Sequence, residues 1–221
     1  MIKIEENIII NEKLQYLYGV NTKKYLKLWK KHYLYKKAPN TLNRFGIIDP
    51  EVFDTDNGIL VVGKETRGCN YSLLDWVDIL STENVAIDTK DETKFTKYPK
   101  MWYNIGRWAK LICNPELDIE KLVYEKKEAL VGLSCIAFTN INKVGGGSAS
   151  KKSFWELSKE PLVKEIVQKE IEIINPKYVV LCGIKKDYLD NTDKSIKIIE
   201  MPHPSAMKST EKMLYELKKQ L

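Results

Sequence analysis

The chain has 221 residues, 43% of them hydrophobic and 30% charged. That balance excludes a disordered polymer and fits one folded domain with a full core, or one domain with an appendage. No apolar run approaches the ~20 residues that a bilayer span needs, Met1–Glu6 lacks the apolar core of a signal peptide, and a cytoplasmic protein is therefore expected. The formal net charge of +6 suits a polyanionic partner without requiring one.

Cys69, Cys113, Cys135 and Cys182 are scattered and form no C-x-x-C pair, so a zinc or iron–sulfur centre has no support. His32 and His203 are the two histidines, which leaves few candidates for imidazole chemistry.

Helical spacing runs from Glu12 to Lys37 through Leu14, Leu17, Tyr18, Tyr25, Leu28, Trp29 and Tyr33, with a break predicted at Gly19–Thr22. Lys23, Lys24, Lys27, Lys30, Lys31, Lys36 and Lys37 interleave with Tyr25, Trp29, Tyr33 and Tyr35. Such a stretch reads as a solvated face over a buried aromatic stripe, or as a face for nucleic acid. Ala38-Pro39-Asn40 closes it, and a loop with Pro50, Asp54, Asp56 and Gly58 leads on.

Ile59 to Val62 is a continuous apolar run that ends in Gly63, the pattern of a buried strand in a parallel sheet. Tyr71–Leu80 reads as a helix and Thr82–Thr96 as a polar loop. Tyr98–Cys113 is a second helix, with Trp102, Ile105, Trp108 and Ile112 on one face, and Ile119–Leu130 a short third. Val131–Ile141 is the second strand and runs into the glycine-rich stretch Asn142–Ser150. Pro161–Ile174 is a helix with proline in its first turn, and Asn175-Pro176 stops it. Tyr178–Cys182 and Ile196–Glu200 are the third and fourth strands, and Ala206–Leu221 is a final amphipathic helix.

Strands alternating with helices predict an α/β fold: a three-layer α/β/α arrangement on a mainly parallel four-stranded sheet over residues 59–221, preceded by an N-terminal helical extension over 1–58 that packs on the core. Right-handed connections bring the loops after the four strands to one sheet edge, where ligands bind in this class. Glu65 there can serve as a general base or a fixed negative charge. Gly63 before it permits a sharp turn. Asn140, at a strand end, carries both donor and acceptor and suits the edge of a nucleobase. Lys143 and the Gly145–Ser148 loop can bind phosphate through an ammonium and backbone N–H groups, though no Walker A spacing is present. His203, between Pro202 and Pro204, is a rigidly aimed imidazole, and Ser205 can bond to a phosphate.

Three of these stretches, in this chain order, resemble motifs of the uracil-DNA glycosylase superfamily. Gly63-Lys64-Glu65-Thr66 is similar to its first motif, which reads G-Q-D-P, G-I-N-P or G-E-A-P-G after a buried strand. Phe138-Thr139-Asn140-Ile141-Asn142-Lys143 is similar to T-N-V-V-K, and His203-Pro204-Ser205-Ala206-Met207 to H-P-S-P-L. Thr66 replaces the usual proline, Arg67 stands where tyrosine or glycine is typical, and Glu65 is longer than the family's aspartate or asparagine. The cysteine ligands of the iron–sulfur branches are absent, and the first ~58 residues lie outside the likeness.

The resemblance implies a divergent DNA glycosylase that cleaves the N-glycosidic bond of a flipped-out uracil or other damaged base, in base-excision DNA repair. It implies that Glu65 orients the attacking water, Asn140 and Gly63 bind the base, and His203 stabilises the departing base. Ser205 would contact backbone phosphate and Met207 would fill the gap in the duplex. Lys64, Arg67, Lys143 and Ser148 complete the set expected to meet DNA. No metal or organic cofactor is needed, the partner is DNA with single strands included, no membrane is involved, and a monomer is expected. A non-catalytic nucleic-acid-binding protein of the same fold, or a hydrolase of free nucleosides or nucleotides, would use the same residues.

Overall fold

The computed structural model describes residues 2–33, 42–67, 99–146, 152–189 and 193–221. The expected helix Tyr71–Leu80, the loop Thr82–Thr96, and Cys69, Tyr35, Lys36, Lys37 and Ser148 lie outside them. In chain order the elements are α1 (Ile2–His32), β1 (Gly46–Ile47), β2 (Ile59–Gly63), β3 (Thr66–Arg67), α2 (Pro99–Cys113), α3 (Ile119–Tyr124), α4 (Lys126–Ser134), β4 (Ile136–Asn140), β5 (Gly145–Gly146), α5 (Lys152–Ser158), α6 (Pro161–Ile174), β6 (Tyr178–Cys182), β7 (Lys197–Met201) and α7 (Thr210–Lys218).

The fold is α/β, but the main sheet has five strands rather than four. Its order is β1-β4-β2-β6-β7. β4, β2, β6 and β7 are parallel, and β1 adds an antiparallel edge beside β4. A second, two-stranded sheet pairs β3 with β5. β2 is buried along its whole length, as are β4 and all but the first residue of β6. This explains their unbroken apolar runs, since such strands have neither face in water.

α1 is continuous where a break was expected. Gly19 is exposed with open space around it, and Asn21 Nδ2 and Thr22 Oγ1 donate back to the Leu17 and Tyr18 carbonyls at 2.9 and 2.7 Å. The buried stripe of Leu14, Leu17, Tyr18, Tyr25 and Trp29 runs through both halves and belongs to the single hydrophobic core. Packing of that face outweighs the glycine, which costs roughly 1 kcal/mol in a helix interior. The lysines Lys23, Lys24, Lys27, Lys30 and Lys31 are exposed on the other face.

The stretch 119–141 also differs. A break at Glu125 divides the expected helix into α3 and α4, and α4 takes residues 131–134 from the expected strand. The helical form of residues 131–134 goes with a close helix contact. A Cβ on Gly106 would lie 1.7 Å from the Ala129 carbonyl oxygen, and one on Gly132 would lie 2.0 Å from that of Gly106. α2 and α4 therefore touch backbone to backbone, and Cys135 caps α4 instead of lying in a strand. α6 and β6 fall where expected, and Asn175 ends α6 in the left-handed conformation (φ 47°). Among the described residues no helix is long and apolar enough to cross a membrane.

The strand order fixes where a ligand would bind. From β2 the chain goes first to β4 on one side and later to β6 on the other. The carboxyl ends of β2 and β6 thus border the topological switch point, where the connections diverge and leave a crevice.

Candidate active site

Along the carboxyl edge the strand ends present Asn140 from β4, Lys64 and Glu65 after β2, Gly183 after β6, and His203 two residues past β7. The β2–β4 ladder persists beyond the strands, since Ile141 N donates to Gly63 O and Asn142 N to Lys64 O, both at 2.9 Å. The pairing of Gly63 with Asn140, continued by two residues, sets residue 142 beside residue 65.

Glu65 is half-buried and held at one oxygen. Its Oε2 accepts from Tyr33 OH at 2.7 Å and from Asn142 Nδ2 at 3.2 Å. Asn142 is itself fixed, because its Oδ1 accepts from Val144 N at 3.0 Å. Tyr33 lies one residue past α1 and stacks on Trp29, with centroids 5.1 Å apart. Among the described residues Oε1 has no partner. Burial raises the Glu65 pKa, and the bonds from Tyr33 and Asn142, with the charge of Lys64, oppose that rise.

Asn140 is buried, and its side chain lies over Gly63. A Cβ on Gly63 would stand 2.2 Å from Asn140 Oδ1, so only glycine leaves room for the amide. Among the described residues that amide makes no hydrogen bond. His203 keeps an exposed edge, and its Nδ1 accepts from Ser205 N at 3.2 Å. That bond leaves the proton of the neutral ring on Nε2, directed away from the backbone. The packing around the ring lowers its pKa, and the nearby Lys64 ammonium lowers it further. α2 steadies this loop: Asn104 Nδ2 donates to Pro204 O at 2.7 Å while Asn104 Oδ1 accepts from Thr210, and Lys100 Nζ donates to Ala206 O at 2.7 Å.

The structure brings Gly63, Lys64, Glu65, Asn140 and His203 to one edge, with Ser205 exposed beside His203 and Met207 wholly exposed beyond it. Arg67 lies in β3, paired with Gly146. Lys143 is a correction. It is fully buried, and its Nζ donates to Glu170 Oε2 at 2.6 Å and to Thr139 Oγ1 at 2.7 Å, so it is closed to any phosphate. Lys64 is half-buried, with Nζ 5.0 Å from the centre of the exposed Trp155 ring.

Sequence reasoning missed Tyr33, Asn142 and Trp155. Asn142 was within reach of it, because a ladder carried two residues past Asn140 meets Glu65. Tyr33 offered no local signal beyond its place in the aromatic stripe. Among the described residues no group of three His, Cys, Asp or Glu side chains could hold a metal ion. No family model, no curated protein and no solved structure matches the chain.

Proposed function

We propose that the protein is an N-glycosidic hydrolase acting on a base drawn out of DNA. The observation that carries this reading is the state of the polar groups along one sheet edge. Glu65 Oε1, the Asn140 amide and the His203 Nε2 position are each held in place by the fold and left without a protein partner among the described residues. One carboxylate oxygen, one amide and one imidazole are groups of the kind the reaction uses.

The bond is hidden in a duplex, so the nucleotide must be flipped, at a cost of a few kcal/mol. The Asn140 amide reads the base edge as donor and acceptor. As the glycosidic bond lengthens, positive charge grows on the sugar and negative charge on the base. The Glu65 carboxylate stabilises the cation and accepts a proton from water at Oε1, much as paired carboxylates serve in glycoside hydrolysis. The His203 Nε2–H donates to the base as its charge develops. A neutral imidazole suits this role, and the lowered pKa of His203 favours that form. The three stretches that resemble motifs of the uracil-DNA glycosylase superfamily favour the same assignment.

The test is a cleavage assay on single- and double-stranded oligonucleotides that carry uracil, hypoxanthine, xanthine or mismatched thymine, with alkali to reveal abasic sites. One base is expected to be released. Glu65→Gln should abolish release while DNA binding persists, and His203→Ala should slow it by about 10²–10³-fold, the usual effect of one lost donor to developing charge. Salt-sensitive binding with no release from any substrate would overturn the catalytic reading and leave a DNA-binding protein.

A further inference from the structure

Lys64 carries a charge that the fold leaves unanswered. Its side chain crosses the switch point between β2 and β6. Cε and Nζ lie 3.2 and 3.3 Å from the point where a Gly183 Cβ would stand, and the His203 backbone nitrogen lies 3.4 Å from that same point. Gly183 has φ +68°, and the lysine packs closely against the position its side chain would take. The Trp155 ring faces the ammonium at 5.0 Å and steadies it without neutralising it. Among the described residues the Lys64 ammonium has neither an ion pair nor a hydrogen bond. Glu65 and the Cys182 thiol act on it only at a distance. A half-buried ammonium without a counter-ion is costly, and an anion that enters beside it recovers that cost.

We propose that Lys64 and His203 form a single anion subsite at the switch point, which takes the negative charge of the departing base. The identity of the anion rests on the glycosidic reading above. In the reaction the bond from sugar C1′ to the base nitrogen breaks, and its electron pair leaves with the base and spreads to the base oxygens. Water supplies hydroxide to C1′ and its proton to Glu65. Lys64 and His203 keep their protons and stabilise the base by hydrogen bonding and charge, and solvent later protonates it. Lys64 is thereby assigned to the leaving group and not to a backbone phosphate.

Two measurements test this. In single-turnover cleavage, Lys64→Met should slow release of uracil by about 10²-fold. It should slow release of 5-fluorouracil less, because a more acidic leaving group needs less help. The DNA Kd and its salt dependence should be unchanged. Equal losses on both bases, or a weaker Kd with a shallower salt slope, would overturn the assignment in favour of a phosphate contact. The second measurement needs no turnover. The His203 ring is followed by NMR as free 5-nitrouracil, an anion at neutral pH, is added. The wild type should show saturable shifts, and Lys64→Met should bind at least tenfold more weakly. No binding by the wild type, or equal displacement by inorganic phosphate, would overturn the subsite. Binding of 5-nitrouracil without cleavage of any oligonucleotide would defeat the glycosidic reading and leave the subsite standing.

Discussion

The chemistry of Glu65 is set by opposing effects on one carboxylate. Burial raises its pKa, and the Tyr33 hydroxyl, the Asn142 amide and Lys64 pull it back. The working form in the proposed reaction is the anion, so the acid limb of activity follows this balance. Tyr33→Phe keeps the ring stacked on Trp29 and removes the hydroxyl that donates to Glu65 at 2.7 Å and accepts from Asn142 Nδ2 at 3.2 Å. With that donor gone the Glu65 pKa rises further, and the fraction ionised at a given acid pH falls. The acid limb of cleavage should move to higher pH while the plateau rate changes less. Carbon NMR of the labelled Glu65 carboxyl should show the same direction of shift in the absence of DNA. A limb that stays in place would make Tyr33 a packing residue only.

At the scale of elements, the site depends on a helix that contributes no reacting group. α2 reaches the His203 loop through Asn104, a fully buried residue that bonds Pro204 and Thr210 at once. Asn104→Ala should cost about 1–3 kcal/mol, since it leaves the Pro204 carbonyl unpaired in the interior. It should lower kcat more than DNA affinity, because the imidazole loses its aim; urea denaturation and single-turnover rates report the two effects separately. Unchanged cleavage in a destabilised variant would confine Asn104 to folding. The elements that were legible in the sequence have their limits written locally. Pro161 and Asn175 bracket α6, Gly63 and Gly183 close β2 and β6, and the end of β2 delivers Glu65, as the end of β7 delivers His203. What was not legible depends on distant partners. The run from Val131 to Ser134 suits a strand until Gly132 meets Gly106, and a short apolar run cannot reveal that. β1 has only two residues and carries no period at all. Tyr33 and Glu65 stand 32 residues apart, and no spacing rule joins them.

Across the whole molecule, α1 belongs to the core and not to an appendage. Tyr25 and Trp29 are fully buried, Tyr25 OH accepts from Lys143 N at 2.9 Å, and Tyr18 OH donates to Glu170 Oε1. Glu170 comes from α6, Thr139 from β4, and Lys143 from the loop that also positions Asn142. One buried carboxylate therefore joins α1, the sheet and α6 directly behind the candidate site. Burial pulls the Lys143 pKa down, and the adjoining carboxylate opposes that pull. Such a pair stabilises little relative to an apolar substitute, but breaking it strands a charge in the interior. Lys143→Met should therefore destabilise the protein by about 3–5 kcal/mol. Lys143→Met combined with Glu170→Leu should recover most of that loss, because no charge then remains unpaired. Denaturant midpoints of the two single variants and the double variant give the coupling. If the double variant proves as unstable as Lys143→Met alone, the pair fixes the fold through its hydrogen bonds to Tyr18 and Thr139, and its charge is incidental. With recovered stability, the rate of the proposed base release by the double variant shows whether the loop from Asn140 to Val144 needs the ion pair for its shape. A folded double variant that has lost cleavage would make the buried pair a support for Asn142, and through Asn142 for Glu65.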